Sequence, residues 1–249
     1  MLKASFIYFK NQNYEAALPL YVQLQSSAID PDNKSNAKIN AMRCAWLSKN
    51  YEVAATQADL ILKNEKPKKE LELEAKNIRA HSNFELGKLN ECVDDFKYVS
   101  KYAESVLGAE AFFYSAKIVQ ASKKYKEVEK IIDKLMSYKY ADKFWMTKGL
   151  LVMCDCYIEQ KKYSDAEALL NTIVNNQVDE TLKAEALKKL EDLKALQNQR
   201  MQADSQNQKT EGGTNVEFKN GTGNKDLFDE LYENSQKDST QIKEKQGPK

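Results

Sequence analysis

The chain has 249 residues, 38 basic and 37 acidic side chains, and a formal net charge of +1. A balance so close to zero excludes a global field that would draw nucleic acid or an acidic membrane, and no apolar run approaches the roughly 20 residues needed to span a bilayer. With only 8 glycines and 4 prolines among many Ala, Leu, Lys, Glu and Tyr residues, the composition favours an all-α chain.

At the N-terminus, Lys3, Lys10 and Glu15 interrupt any apolar core, so no signal-peptide layout is present. From there Tyr14, Tyr51, Leu89, Tyr125 and Tyr163 recur at spacings of 37, 38, 36 and 38 residues. Each anchor follows a polar turn. Three positions after it comes a small or short apolar residue (Ala17, Ala54, Cys92, Val128, Ala166), and four further on Tyr21, Ala58, Phe96, Ile132 or Leu170. A fixed period in this range marks a stacked-repeat architecture, in which each unit buries its apolar face only against its neighbours.

The segment before each anchor reads as one helix and the segment after it as another. In the fourth repeat Ala109, Phe112, Phe113, Ala116 and Val119 form one helical stripe; after the turn Ser122-Lys123-Lys124, Val128, Ile131, Ile132 and Leu135 form a second. The fifth repeats the scheme with Leu150, Leu151, Cys154, Tyr157 and Ile158, then Ala166, Leu169, Leu170 and Ile173. Short turns predict antiparallel neighbours. Pro31 and Pro67 fall between repeats, whereas Pro19 lies inside a predicted helix and should kink it.

Residues 176–201 are expected to form a capping helix, with Leu182, Ala186, Leu190, Leu193 and Leu196 turned inward and dense charge outward. From 202 to 249 Gln, Asn, Gly, Thr, Lys and Asp dominate, a composition that predicts disorder. One island interrupts it over 226–232, where Leu227, Phe228, Leu231 and Tyr232 share a helical face suited to docking in an apolar groove.

The repeated sentence resembles the tetratricopeptide repeat, a helix–turn–helix unit of about 34 residues. With the anchors at position 17 of that pattern, its small position 8 is filled by Ser5, Met42, Ala80, Ala116 and Cys154, and its Ala position 20 by Ala17, Ala54, Cys92, Val128 and Ala166. The match covers residues 1–175 as five repeats. The departures are the longer period, Leu24, Ile61, Val99, Leu135 and Ile173 where the family has a small residue, and Gly87 as the sole glycine at position 15. Met1 falls at position 4, so the first repeat is incomplete, and further repeats are expected N-terminal to Met1. The resemblance implies a right-handed superhelical solenoid whose first helices line a concave groove.

The family's groove positions map to Phe6 and Phe9; to Ile39, Arg43 and Trp46; to Asn77, His81 and Phe84; to Phe113, Lys117 and Gln120; and to Leu151, Asp155 and Ile158. Aromatics mixed with a few polar groups suit a peptide. Trp46, Phe84 and Phe113 serve either that groove or the packing against the neighbouring repeat. The family's carboxylate clamp is not reproduced in its usual order.

Neither P-loop, G-x-S-x-G nor H-E-x-x-H occurs, and His81, the single histidine, has no motif partner. Cys44, Cys92, Cys154 and Cys156 form no C-x-x-C pair and are expected to pack as small hydrophobes. The expectation is a non-catalytic scaffold without cofactor or metal, which binds a protein or peptide partner and neither nucleic acid nor, by insertion, a membrane. The rival expectation is a structural segment of a longer solenoid with no ligand of its own. The paired A-x-x-Y/F units and cap helix are loosely similar to tetratricopeptide proteins of Gram-negative bacterial envelopes, which act in outer-membrane assembly, secretion or motility complexes. Read literally the chain is cytoplasmic; as part of a longer exported protein it would be periplasmic.

Overall fold

The structure is a computed structural model that describes residues 1–64, 66–176 and 179–208. The described residues form eleven helices and no strand: α1 (Leu2–Lys10), α2 (Tyr14–Ser27), α3 (Pro31–Leu47), α4 (Tyr51–Asn64), α5 (Lys69–Glu85), α6 (Leu89–Tyr102), α7 (Val106–Ala121), α8 (Tyr125–Met136), α9 (Lys143–Glu159), α10 (Tyr163–Asn176) and α11 (Glu180–Gln208). Every anchor of the sequence repeat is the first residue of an even-numbered helix.

The turn before each anchor has one design. The residue two before it lies in the left-handed region: Gln12 (φ 58°), Lys49 (58°), Gly87 (73°), Lys123 (56°) and Lys161 (63°). Its N–H donates to the carbonyl three residues back, and the next N–H to the carbonyl five back, as in Gln12 to Phe9 with Asn13 to Tyr8, or Lys161 to Ile158 with Lys162 to Tyr157. These are Schellman bonds, which satisfy the carbonyls a helix end leaves open. The repeat therefore conserves a backbone shape, not a glycine.

A left-handed residue with a Cβ costs about 1 kcal/mol or more relative to glycine. Lys49→Gly, Lys123→Gly and Lys161→Gly should each raise stability by up to about 1 kcal/mol, while Gly87→Ala should lower it by a similar amount. Urea titrations of the four variants check this. A loss in all three lysine variants would contradict the strain at these turns.

Polar caps start several helices. Asn13 Oδ1 accepts from Ala16 N at 3.2 Å, and Asp30 Oδ1 accepts from Asp32 N at 2.7 Å and Asn33 N at 3.1 Å, with Pro31 at the first helical position. Asp142 Oδ1 accepts from Trp145 N at 3.0 Å, and Asp179 Oδ1 from Leu182 N at 3.1 Å. The helix α2 continues through Pro19 from Tyr14 to Ser27.

The helices gather into two compact units, residues 1–118 and 119 onward. In the first, consecutive helices pack side by side and share three successive cores. Ala17, Tyr21 and Leu24 of α2 meet Ala37, Ala41 and Cys44 of α3, flanked by Phe9 and Tyr14. Met42 and Ala45 of α3 meet Ala54, Ala58 and Ile61 of α4 and Ala75 and Ile78 of α5. Ala80 of α5 meets Cys92, Phe96 and Val99 of α6 and Ala111 and Ile118 of α7. Alanine dominates these seams because the helices approach too closely for larger side chains.

In the second unit α9 packs against α8, α10 and α11. Three neighbours explain why Leu150, Leu151, Val152, Cys154 and Cys156, which point around much of its circumference, are all buried. A Cβ on Gly149 would lie 2.7 Å from Leu135 Cδ2 and 3.1 Å from Ile132 Cδ1, so the α8–α9 contact uses the missing side chain. Leu182, Ala186, Leu190 and Leu193 of α11 are buried, and Leu196 is half-buried. The helix begins at Glu180 and runs on to Gln208, beyond the start of the Gln- and Asn-rich stretch. No glycine or proline intervenes before Gly212, and Met, Gln and Ala are sound helix formers. The 226–232 island, with Leu227, Phe228, Leu231 and Tyr232, lies outside the described residues.

All four cysteines are free and buried. Burial pushes the thiols of Cys44 and Cys156 up to about 12 and that of Cys92 to about 11, and raises Cys154 as well. They are held as thiols, the unreactive form.

Candidate binding groove

The first helices α3, α5 and α7 of the N-terminal unit border a groove of about 630 Å³. Its apolar lining is Trp46 and Leu47 from α3, Leu73 and Ile78 from α5, Tyr102 at the end of α6, and Leu107 in the first turn of α7. Leu47, Tyr102 and Leu107 are exposed and Trp46 and Leu73 half-buried, so a strip of apolar surface stays open to a ligand.

The charges of the groove are mostly spent on one another. Arg43 Nε donates to Glu74 Oε1 at 2.6 Å and Arg43 Nη2 to Glu74 Oε2 at 2.7 Å. This bidentate pair bridges α3 and α5, and its hydrogen bonds raise the Arg43 guanidinium above its ordinary value. Lys69 Nζ lies 3.9 Å from Glu104 Oε1. Asn77 adds a polar group to the wall, and its Oδ1 is buried with no hydrogen-bond partner among the described residues.

Arg43, Trp46 and Asn77, three residues expected from the sequence to face a groove, are brought together here. Phe9, Phe84, Phe113 and His81 pack between helices instead. Phe9 stands edge-on to Tyr14 and Tyr21, with ring centroids 5.5 and 6.4 Å away. His81 is buried, 5.6 Å from Trp46, 5.0 Å from Phe96 and 4.5 Å from Tyr114. Phe84 and Phe113 meet the same Tyr114 ring at 4.9 and 5.1 Å. Lys117 is exposed, with its Nζ 6.0 Å from the Phe113 ring centroid. Tyr114 sits at the centre of this aromatic cluster, and sequence periodicity did not single it out.

In the C-terminal unit Gln120 Nε2 donates to Glu159 Oε1 at 3.1 Å, and Tyr125 donates its hydroxyl to Glu159 Oε2 at 2.9 Å. Asp155 accepts a 2.5 Å hydrogen bond from Lys189 of α11, and Ile158 is half-buried. The capping helix thus binds a polar group of α9 that the repeat register would leave for a ligand. The apolar residues of the groove that sequence reasoning missed are Leu47, Leu73, Ile78, Tyr102 and Leu107. Two of them flank the α6–α7 connection, where helical periodicity carries no signal.

At the other end, α1 exposes Leu2, Phe6, Ile7 and Tyr8, with Phe6 53% and Ile7 56% exposed. The corresponding residues of α3, one repeat later, include Cys44 and Ala45, both fully buried against neighbouring helices. No helix of the described residues is long and apolar enough to cross a membrane. No protein-family model matches the chain, and no curated protein is significantly similar to it.

Proposed function

We propose that the chain is a non-catalytic scaffold of tetratricopeptide type, a right-handed superhelix that takes a peptide or protein partner in the groove between α3, α5 and α7. The observation that carries this reading is the open apolar strip of Trp46, Leu47, Leu73, Tyr102 and Leu107 beside an internally neutralised Arg43–Glu74 pair. Such a surface rewards apolar and aromatic anchors, and a ligand of high charge would find most of the lining charges already paired. The bonded turns and alanine-rich seams support it further, because a rigid wall loses little entropy on binding. A place in a bacterial envelope assembly belongs to the same proposal and rests on the loose family likeness alone.

Selection from a phage-displayed library of random peptides tests the groove. Enriched peptides should carry spaced aromatic or aliphatic residues and bind with saturable affinity. Trp46→Ala should weaken them roughly thirtyfold, the effect of losing an aromatic anchor of about 2 kcal/mol. Selected peptides that bind Trp46→Ala and Tyr102→Ala as tightly as the unaltered chain would refute the site.

The exposed face of α1 favours the second reading, that this chain is a segment of a longer array, since its apolar residues have the pattern of a surface that another helix covers. Hydrogen exchange checks it: amides of α1 should exchange first in the isolated chain.

A further inference from the structure

The second helices α4 and α6 enclose, with α5, another cleft of about 650 Å³ in the N-terminal unit. Its chemistry is unlike that of the groove. Arg79, from α5, crosses its floor and is engaged at all three nitrogens: Nε and Nη2 donate to the two oxygens of Asp95 at 2.6 and 2.8 Å, and Nη1 donates to Asp59. Burial alone would lift the Asp59 carboxyl, but the hydrogen bonds from Lys63 and Arg79 outweigh it and hold it below its ordinary value.

Around this tied centre stand three carboxylates that make no ion pair among the described residues. They are Glu52 of α4 and Glu91 and Asp94 of α6, all exposed at the rim. Lys88 is the one cation of the lining besides Arg79, so the cleft concentrates negative charge on a chain whose net charge is only +1. An acidic rim alone is a solvated surface. The second observation is Asn83, which lines the cleft, is 5% exposed, and has no side-chain hydrogen bond among the described residues. Its amide atoms still reach the cleft, so a ligand that displaces the cleft's water finds both a donor and an acceptor uncommitted to the protein.

We infer that this cleft binds a lysine- or arginine-bearing peptide segment of a partner, its cationic side chains on Glu52, Glu91 and Asp94 and its backbone on the Asn83 amide. A single metal ion is not the fit, since no group of three or more His, Cys, Asp or Glu side chains converges closely enough among the described residues. Carboxylates spread along a cleft instead match cations spaced along a chain. The amide of Asn83 offers both a donor and an acceptor, as a peptide backbone demands; a polyamine would use the acceptor alone. The site is separate from the groove and does not depend on it.

Fluorescence anisotropy with a labelled peptide of alternating lysine and alanine tests the inference, with an alternating glutamine–alanine peptide and spermidine as competitors. The lysine peptide should bind saturably and weaken with added salt. The triple variant Glu52→Gln, Glu91→Gln, Asp94→Asn should bind it about tenfold more weakly. Asn83→Leu, which keeps the branched shape and removes the amide, should weaken it about fivefold; if that variant fails to fold, the smaller Asn83→Ala takes its place. In NMR titrations amides 52–59 and 88–95 should shift, while 43–47 and 73–77 stay still. Unaltered binding by the triple variant, or an Asn83→Leu protein that folds and binds as well as the parent, would overturn the site. Spermidine displacing the peptide at equal concentration would overturn the peptide assignment.

Discussion

Asp95→Ala is expected to destabilise the N-terminal unit by about 3 kcal/mol, the low end of what is lost when a buried ion pair loses one member. Asp95 is 2% exposed, and both its oxygens are engaged by the Arg79 fork. Removing the carboxylate leaves the guanidinium desolvated on that side. Asp59 remains hydrogen-bonded to it, and the Arg79 side chain is 22% exposed, so water recovers part of the deficit. Lys76, whose Nζ lies 3.6 Å from Asp95 Oδ1, loses a partner as well. The pair itself is a different matter. Replacing both members with apolar residues, Arg79→Leu with Asp95→Leu, should cost much less than Asp95→Ala alone, because no buried charge is then orphaned. Urea midpoints for Arg79→Leu, Asp95→Leu and the double give the coupling directly. Additive losses across that cycle would show that Arg79 and Asp95 do not act as one unit.

This cluster also shows what a repeat pattern can and cannot reveal. The positions of the anchors and of the small residues after them were legible because helix-to-helix distance constrains them in every unit, and Ala17, Ala54, Cys92, Val128 and Ala166 are all fully buried. Arg79 and Asp95 obey no such rule. They occur in one repeat only, and sequence distance separates the charges that the α4–α5–α6 packing joins. The left-handed turn residues were half legible: Gly87 announced itself, whereas Gln12, Lys49, Lys123 and Lys161 read as polar loop and adopt the same conformation because the Schellman bonds require it.

The groove was legible at the level of its wall and not of its members. Position in the helix predicted that Arg43, Trp46 and Asn77 face one side, and they do line one cavity. The same rule placed His81 and Phe113 there, yet both are buried. The difference lies in α7, whose Tyr114 ring stacks on Phe96 at 5.3 Å and closes over His81. Such a closure depends on the side chain presented by the next repeat, which a register alone cannot supply.

The closed aromatic cage around His81 should make stability fall with acid. Burial holds the imidazole's folded pKa down at about 4, against an ordinary value of 6.5. Between those two values the unfolded chain binds a proton that the folded chain does not, so stability is full above about pH 6.5 and is lost as pH falls toward 4. The shift corresponds to about 3 kcal/mol over that window. The groups facing the ring are Trp46 from α3, Phe96 from α6, and Tyr114 and Glu110 from α7. Glu110 Oε1 lies 3.6 Å from His81 Nε2, too far for a hydrogen bond. Burial pushes the Glu110 carboxyl up, so its own contribution has the opposite sign and offsets part of the loss as it protonates. His81→Leu keeps the site apolar and removes the titration. The difference in unfolding free energy between the two proteins, followed from pH 7 to pH 4, should change by about 3 kcal/mol, with the parent losing more. Because the chain has a single histidine, its Hε1 proton gives one unambiguous NMR resonance, which should titrate near 4. A midpoint near 6.5, or parallel stability profiles for parent and variant, would mean that the ring reaches water and that the cage is open in solution.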